Sequence, residues 1–192
     1  GLGGDTLKST AEDLLFNRAL PLNSYKTSRF TLDKDSPNAL VMQTSIGQGN
    51  TLVSPMHMAL ITSAIANDGV LMKPTMIDKI VNNSGDTVRE TEKTEYKRLM
   101  TRNEANILGK LMKNVVENGT ASALNGRGYT VAGKTGSAEF DENGSSHSWF
   151  VGYSNVDDPD IAIAVIVENG GTGSEAAACS APVSCASPSF PP

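Results

Sequence analysis

The stretch Gly133-Lys134-Thr135-Gly136-Ser137-Ala138-Glu139 decides the fold, because it lies in the first of three consecutive segments with strand character. Residues 129–132, just ahead of the lysine, alternate in the manner of a strand, so the first strand is expected near residues 129–138. Two further runs, rich in aromatic and β-branched side chains, follow near residues 147–154 and 160–168. Three strands in hairpin order predict an antiparallel sheet that carries Lys134 on its first strand.

Helix signals dominate the chain ahead of that sheet. Ser54 followed by Pro55 supplies a capping side chain and a first-turn proline for a helix that runs to Asn67. Thr101 and Glu104 form the capping box of a later helix, which is expected to pack across the sheet and support the Lys134 strand. The apolar face predicted for this later helix consists of Ile107, Leu108, Leu111, Met112, Val115 and Val116.

Shorter elements complete the expected α+β fold class, in which helices pack against one antiparallel sheet. A short helix is predicted at residues 10–16, followed by an extended or looped crossing over residues 21–38. Residues 73–81 and 87–90 are predicted to pair as a hairpin around a turn at residues 83–86.

The Lys134-Thr135-Gly136 sequence resembles the signature of penicillin-binding proteins and serine β-lactamases. Two upstream stretches strengthen this resemblance, the Gly47-Gln48-Gly49 segment that leads into a helix and the stretch at residues 66–74, because all three stand in the family's order and spacing. The resemblance covers most of residues 1–178 and is greatest to the C-terminal half of a transpeptidase domain. It implies a β-lactamase/transpeptidase-like fold and descent from a D,D-transpeptidase of peptidoglycan cross-linking that forms an acyl-serine intermediate and binds β-lactams.

The resemblance also assigns roles to the site residues. Acyl transfer to a serine needs a nearby cation, a hydroxyl donor for the substrate carboxylate and a backbone N–H directed at the developing oxyanion. By resemblance, Lys134 assists proton movement and carboxylate binding, and the Thr135 hydroxyl holds the carboxylate of a D-Ala-D-Ala stem peptide or a β-lactam. Ser137 contributes its backbone N–H to the oxyanion hole, and Gly136 lets a ligand backbone pair with the strand edge. The alternative is an ordinary exposed strand with glycines at a bulge.

The family's nucleophile motif is absent from the sequence, since no lysine has a serine three positions before it. The only Ser-x-Asn sequence, Ser36-Pro37-Asn38, is predicted to be a turn. The expected explanation is truncation, with the N-terminal half of the domain and its Ser-x-x-Lys motif lying before residue 1. Such a fragment is expected to be inactive alone and to need a complementing fragment or to form a homo-oligomer. The alternative function is a non-catalytic binding module, or a serine hydrolase of β-lactamase-like activity with an unrecognised nucleophile.

Residues 179–192 depart from the family and are expected to be a disordered or artefactual tail, because small residues and prolines there show no helical period. Cys179 and Cys185 lie in this tail and are interpreted as two thiols, although a small disulfide loop is an open alternative. Their spacing is unusual for zinc, and His57 and His147 lie far from them, so no metal and no cofactor are predicted.

Composition excludes several partner classes. The formal net charge is −5 and no cluster of lysine and arginine forms a basic stripe, so nucleic acid is not an expected partner. No apolar run approaches the length of a membrane span, about 20 residues, and no signal peptide opens the sequence. By resemblance, the parent protein is expected at the outer face of the bacterial cytoplasmic membrane, whereas this fragment carries no signal or anchor.

Other candidate residues have simpler structural interpretations. Ser54 and His57 are spaced as a possible serine–histidine pair, but Ser54 is better explained as a helix cap. His147 is predicted to be a loop residue at the mouth of the site, and Trp149 and Phe150 are predicted to be core residues of the central strand. Residues 141–146 are predicted to be a solvated hairpin tip.

Overall fold

The computed structural model describes residues 3–22, 25–139 and 146–174 and confirms the α+β class. The chain divides into two compact units, residues 1–108 and 109–192. The helices are α1 (Gly4–Asp13), α2 (Asn38–Ser45), α3 (Pro55–Ala66) and α4 (Arg102–Asn118), with a short 3-10 helix at Ser122–Leu124. The strands are β1 (Val70–Met72), β2 (Lys79–Val81), β3 (Thr87–Glu90), β4 (Glu95–Arg98), β5 (Val131–Glu139), β6 (Ser146–Ser154) and β7 (Ala162–Val167).

The core of the first unit forms around α3. The Ser54 side chain accepts a hydrogen bond from the His57 backbone N–H at 3.2 Å, and Pro55 occupies the first turn, which confirms the predicted start. The buried apolar residues of this core are Leu15, Leu20, Leu60, Ile61, Ala64, Leu71 and Leu99. Leucine and isoleucine side chains buried to this extent stabilise a fold by roughly 1.5–3 kcal/mol each.

Two predictions in the first unit need correction. The helix expected at residues 10–16 begins earlier and ends earlier, since α1 spans Gly4–Asp13, and the chain then turns through Leu15 and Asn17, which both have positive φ. Helix α2 was not predicted, and its N-terminus lacks a side-chain cap, so the sequence offered little to mark it. The turn predicted at Ser36-Pro37-Asn38 lies earlier, at residues 33–36, where the Ser36 hydroxyl donates to the Asp33 carboxylate at 3.1 Å, and Asn38 begins α2.

Two small antiparallel sheets complete the first unit. Strands β2 and β3 pair as a hairpin around residues 83–86, as predicted, but its first strand spans only Lys79–Val81 of the predicted residues 73–81. Strands β1 and β4 also pair, with Val70 opposite Arg98, although no strand had been predicted for either. These strands have only 3 and 4 residues and are separated by the hairpin, so local pattern could not reveal their pairing.

The three-stranded sheet of the second unit confirms the central prediction. Its order is β5-β6-β7, with all neighbours antiparallel. Each strand begins and ends within two residues of its predicted bounds. Residues 140–145, between β5 and β6, lie outside the described residues. Val116, Ala121, Leu124 and Phe150 form the buried core of this unit, with Val131, Ile163 and Val165 packed against it. The C-terminal part of α4 and the 3-10 helix therefore cover one face of the sheet.

Helix α4 begins as its sequence predicts. The Glu104 carboxylate accepts from the Thr101 backbone N–H and hydroxyl, both at 2.7 Å, and these bonds lower the pKa of Glu104. The predicted apolar face is wrong in part, because Ile107, Leu108 and Leu111 are exposed while Met112 and Val116 are buried. An apolar period shows which residues share a face, but not how much of that face the tertiary structure covers.

In the part of the chain that the structure describes, no helix has both the length and the apolar character needed to cross a membrane.

Candidate functional site

Strand β5 positions the candidate site along one edge of the sheet. In the described residues, β5 pairs with β6 on one side and with no strand on the other. The register runs over nine residue pairs, from Val131 opposite Ser154 to Glu139 opposite Ser146, without a shift. The interpretation of the glycines as a bulge therefore does not fit the described strand, and the edge of β5 is regular enough to pair with an extended ligand.

Lys134 is exposed, and its Nζ donates to the backbone carbonyl of its neighbour Thr135. Within residues 3–22, 25–139 and 146–174, no ion pair involves this lysine. An exposed ammonium whose bond among the described residues is to a neutral carbonyl retains donors for an anion, since the group has three N–H bonds.

Thr135 has the opposite environment. Its side chain is 5% exposed, and its Oγ1 lies 2.6 Å from the Oγ1 of Thr120, either oxygen being the possible donor. The residue opposite Thr135 on β6 is Phe150, so both side chains face the layer formed by α4 and the 3-10 helix. The carboxylate-binding role of Thr135 stays a prediction, and the described contacts place its hydroxyl against Thr120.

The two glycines of the motif differ in what the fold requires of them. A Cβ at Gly133 would lie 2.5 and 2.6 Å from ring atoms of Phe150, which is itself 1% exposed. A Cβ at Gly136 would meet, among the described residues, only the Cβ of Trp149 at 3.4 Å, an ordinary contact. Packing therefore explains Gly133, whereas nothing in the described packing requires a glycine at position 136.

Ser137 is exposed at the same strand edge, and its Oγ accepts the backbone N–H of Gly173 at 3.0 Å. Lys134, Gly136 and Ser137 thus bring together, within four consecutive residues, an ammonium, a glycine without a Cβ and a serine whose hydroxyl is bonded to Gly173. The oxyanion-hole role of the Ser137 backbone N–H stays a prediction.

The remaining candidates occupy structural positions. His57 is fully buried, its Nε2 lies 2.7 Å from the Leu14 carbonyl, and burial lowers its pKa. The prediction that His147 is a loop residue is wrong, because His147 lies in β6, where its Nδ1 accepts from the Asn169 N–H at 3.3 Å. A strand side chain can reach across to the turn after the neighbouring strand, which local sequence does not show.

Phe150 is a core residue as predicted, while Trp149 is only half-buried. The hairpin tip at 141–145 and the cysteines Cys179 and Cys185 lie outside the described residues. Among the residues that are described, no group of three or more histidine, cysteine, aspartate or glutamate side chains could hold a metal ion.

Sequence reasoning missed two residues that contact the motif, Thr120 and Gly173. Thr120 follows the end of α4, and Gly173 follows β7, so neither is near Lys134 in the chain. Only tertiary structure brings them to β5, although the run Gly170-Gly171-Thr172-Gly173 could have been recognised as a place of close backbone approach.

The profile of the penicillin-binding protein transpeptidase domain matches residues 2–184. This chain belongs to that family, which agrees with the α+β fold and the Lys-Thr-Gly strand edge. It is 32% identical over 176 residues to penicillin-binding protein 3 of Bacillus subtilis (strain 168), covering 88% of this chain and 25% of the relative. It is 29% identical over 175 residues to peptidoglycan D,D-transpeptidase PbpA of Mycolicibacterium smegmatis, covering 88% of this chain and 35% of the relative.

Solved structures agree with these relatives. The fold is similar to penicillin-binding protein A from M. tuberculosis in its imipenem acyl-enzyme complex, with a TM-score of 0.78 and 25% identity over 92% of this chain and 40% of that one. A D,D-transpeptidase domain from Eggerthella lenta matches with a TM-score of 0.71 and 28% identity, over 92% of this chain and 46% of that one. The chain thus spans a quarter to about a third of the length of the two curated relatives named above.

Proposed function

We propose that β5 is the carboxylate-binding and oxyanion-stabilising edge of a serine D,D-transpeptidase site that cross-links peptidoglycan. The ligand is a D-Ala-D-Ala stem peptide or a β-lactam that mimics it. The observation that carries the proposal is the juxtaposition of exposed Lys134 and Ser137 with Gly136, a glycine that the described packing does not need.

Each residue has a specific role in the proposal. The ammonium of Lys134 attracts the ligand carboxylate, and charge-assisted hydrogen bonds of this kind contribute about 1.5–3 kcal/mol. The ligand backbone lies along the edge at Gly136, where no Cβ blocks it. The Ser137 backbone N–H stabilises the oxyanion that forms when the nucleophilic serine attacks the carbonyl carbon. Thr135 contributes its hydroxyl from the buried side of the strand, where Thr120 holds it.

The nucleophile is proposed to come from outside these residues, because the 192-residue sequence contains no Ser-x-x-Lys. The isolated chain is therefore proposed to bind such ligands without forming an acyl-enzyme. A complementing segment, or as an alternative a second copy of the chain, would supply the nucleophile and complete the site. Two relatives support this assignment by name as peptidoglycan D,D-transpeptidases, and penicillin-binding protein A of M. tuberculosis forms acyl-enzyme complexes with imipenem and penicillin G. Cross-linking of peptidoglycan places the proposed activity of the whole protein at the outer face of the cytoplasmic membrane.

Non-covalent binding can be tested by titrating the 15N-labelled chain with benzylpenicillin and following backbone amide resonances. The expected shifts fall at residues 134–137, and Lys134→Ala is expected to weaken binding by about tenfold, which is about 1.4 kcal/mol. Lys110→Ala is the matched control, since Lys110 is an exposed lysine on α4. Shifts elsewhere, or equal affinity in Lys134→Ala and the wild type, would contradict the proposal.

Covalent chemistry needs a separate measurement, namely intact-mass spectrometry of the chain after incubation with a fluorescent penicillin. No adduct is expected in the wild type or in Lys134→Ala. An adduct that is lost in Lys134→Ala would show a working nucleophile within the 192 residues, and would favour the alternative of a serine hydrolase with an unrecognised nucleophile.

A further inference from the structure

A short segment after β7, residues 171–174, lies against the strand that carries the Lys-Thr-Gly motif. A Cβ added to Gly173 would lie 2.2 Å from the carbonyl oxygen of Gly136 and 2.7 Å from both its nitrogen and its carbonyl carbon. Ordinary contacts begin near 3.4 Å, so any side chain at position 173 would have to displace one of the two backbones by about 1 Å. Gly173 therefore permits a direct contact between backbones.

The segment lies on a defined face of the sheet. A Cβ on Gly136 would point toward Trp149 and would not approach Gly173, so Gly173 contacts Gly136 from the opposite face. That face carries Ser137 and its cross-strand partner Ser148. The contact with Gly136 therefore lies on the face of the sheet opposite the Lys134 side chain.

Serine hydroxyls tether the segment to two strands. The Ser148 side chain is fully buried and donates to the Thr172 carbonyl at 2.9 Å, while Ser146 donates to the Gly171 carbonyl at 2.7 Å. The Gly173 N–H donates to Ser137 Oγ at 3.0 Å. Three hydrogen bonds and a backbone contact leave β5 little freedom to move away from or toward this segment.

We propose that residues 171–174 are a positioning segment for the ligand-binding edge of β5, with Gly173 and Ser148 as its positioning residues. The inference rests on the proposed function, because the position of the Ser137 N–H matters only if an oxyanion or ligand carbonyl must reach it. Misplacement of an acyl-transfer group by about 1 Å can cost on the order of a hundredfold in rate. The segment sets that position through contacts to Gly136 and Ser137 and does not touch the ligand itself.

The first test compares Gly173→Ala with Gly128→Ala. Gly128 is the matched control, since a Cβ there would meet nothing among the described residues within 4 Å and its φ is not in the left-handed region. Gly173→Ala is expected to shift the amide resonances of Gly136 and Ser137 and to weaken benzylpenicillin binding by about tenfold or more. Gly128→Ala is expected to leave both unchanged. Wild-type resonances and affinity in Gly173→Ala would overturn the inference.

Ser148→Ala provides a second variant that adds no bulk and removes one tether. It is expected to accelerate hydrogen exchange at residues 135–138 and to weaken ligand binding, while exchange at residues 163–166 of β7 keeps its wild-type rate. Uniformly faster exchange across β5, β6 and β7 would show a merely structural role and overturn the inference.

The two proposals fail in different ways. If the wild type binds benzylpenicillin at residues 134–137 but both variants bind equally well, the positioning segment is wrong and the proposed function stands. If benzylpenicillin shifts no amide resonance of the wild type at residues 134–137, the proposed function is wrong. The positioning role is then wrong as well, because it assumes a ligand-binding edge.

Discussion

A single added methyl group distinguishes a glycine that the fold needs, Gly133, from one that only the proposed site needs, Gly136. Gly133→Ala places its Cβ 2.5 Å from the Cζ of Phe150, a side chain that is 1% exposed and lies in the core of the second unit. Gly136→Ala meets only the Cβ of Trp149, at 3.4 Å among the described residues. The two substitutions are chemically identical and three positions apart on the same strand.

The expected stability changes have different magnitudes and opposite signs. Overpacking a close-packed core costs about 1–3 kcal/mol, and Gly133→Ala should fall at the upper end because the β6 backbone carbonyl of Val151 also lies 3.0 Å from the new Cβ. Replacing glycine by alanine without strain stabilises by about 0.4–1 kcal/mol, because the unfolded chain loses conformational freedom. The two variants should therefore differ by roughly 3 kcal/mol, about a hundredfold in the unfolding equilibrium.

Urea unfolding measures this difference through Trp149, which is the only tryptophan in the chain and lies opposite Gly136. The midpoint for Gly133→Ala should lie about 1 M or more below that for Gly136→Ala. Benzylpenicillin affinity should fall in Gly136→Ala despite its stability, since the new Cβ stands at the proposed ligand-binding edge. Equal midpoints, or a Gly136→Ala variant that unfolds as early as Gly133→Ala, would refute the distinction between the two glycines.

Three further predictions concern other contacts of the described chain. Burial lowers the pKa of His57 below 6.5, so in acid the unfolded chain binds a proton that the folded chain excludes. The free energy of unfolding should therefore be highest above pH 6.5 and fall below it. His57→Gln should flatten this pH dependence, which urea titrations between about pH 5 and 7 would measure. Thr101→Ala should lower the unfolding free energy by about 1 kcal/mol through loss of the α4 cap, whereas Thr101→Ser should not. Thr120→Val should lower the free energy of unfolding by about 1–3 kcal/mol, because the buried Thr135 hydroxyl loses its hydrogen-bond partner. Thr120→Ser keeps a hydroxyl and should retain the wild-type stability. Equal stabilities of the valine and serine variants would contradict the hydrogen bond.

Local signals predicted the elements whose ends carry their own chemistry. Ser54 and Pro55 marked the start of α3, and Thr101 with Glu104 marked the start of α4, because capping groups act within one helical turn. The hairpin order of three strands near Lys134 was likewise predictable, since adjacent antiparallel strands need only short connections.

Features that depend on distant contacts were not predictable. Pairing of β1 with β4 was missed, as were the exposed half of the α4 apolar face and the contact of His147 with Asn169. Each depends on which segments are brought together after the chain folds, and apolar period or turn chemistry in one window does not contain that information.

For the candidate site, the sequence by itself determined the identity of Lys134, Thr135, Gly136 and Ser137 and their place on one strand. The tertiary structure alone decided that Thr135 faces inward to Thr120, and that Gly173 contacts the backbone behind Gly136. The physical reason is that a strand alternates its side chains between two faces, but only packing decides what each face meets.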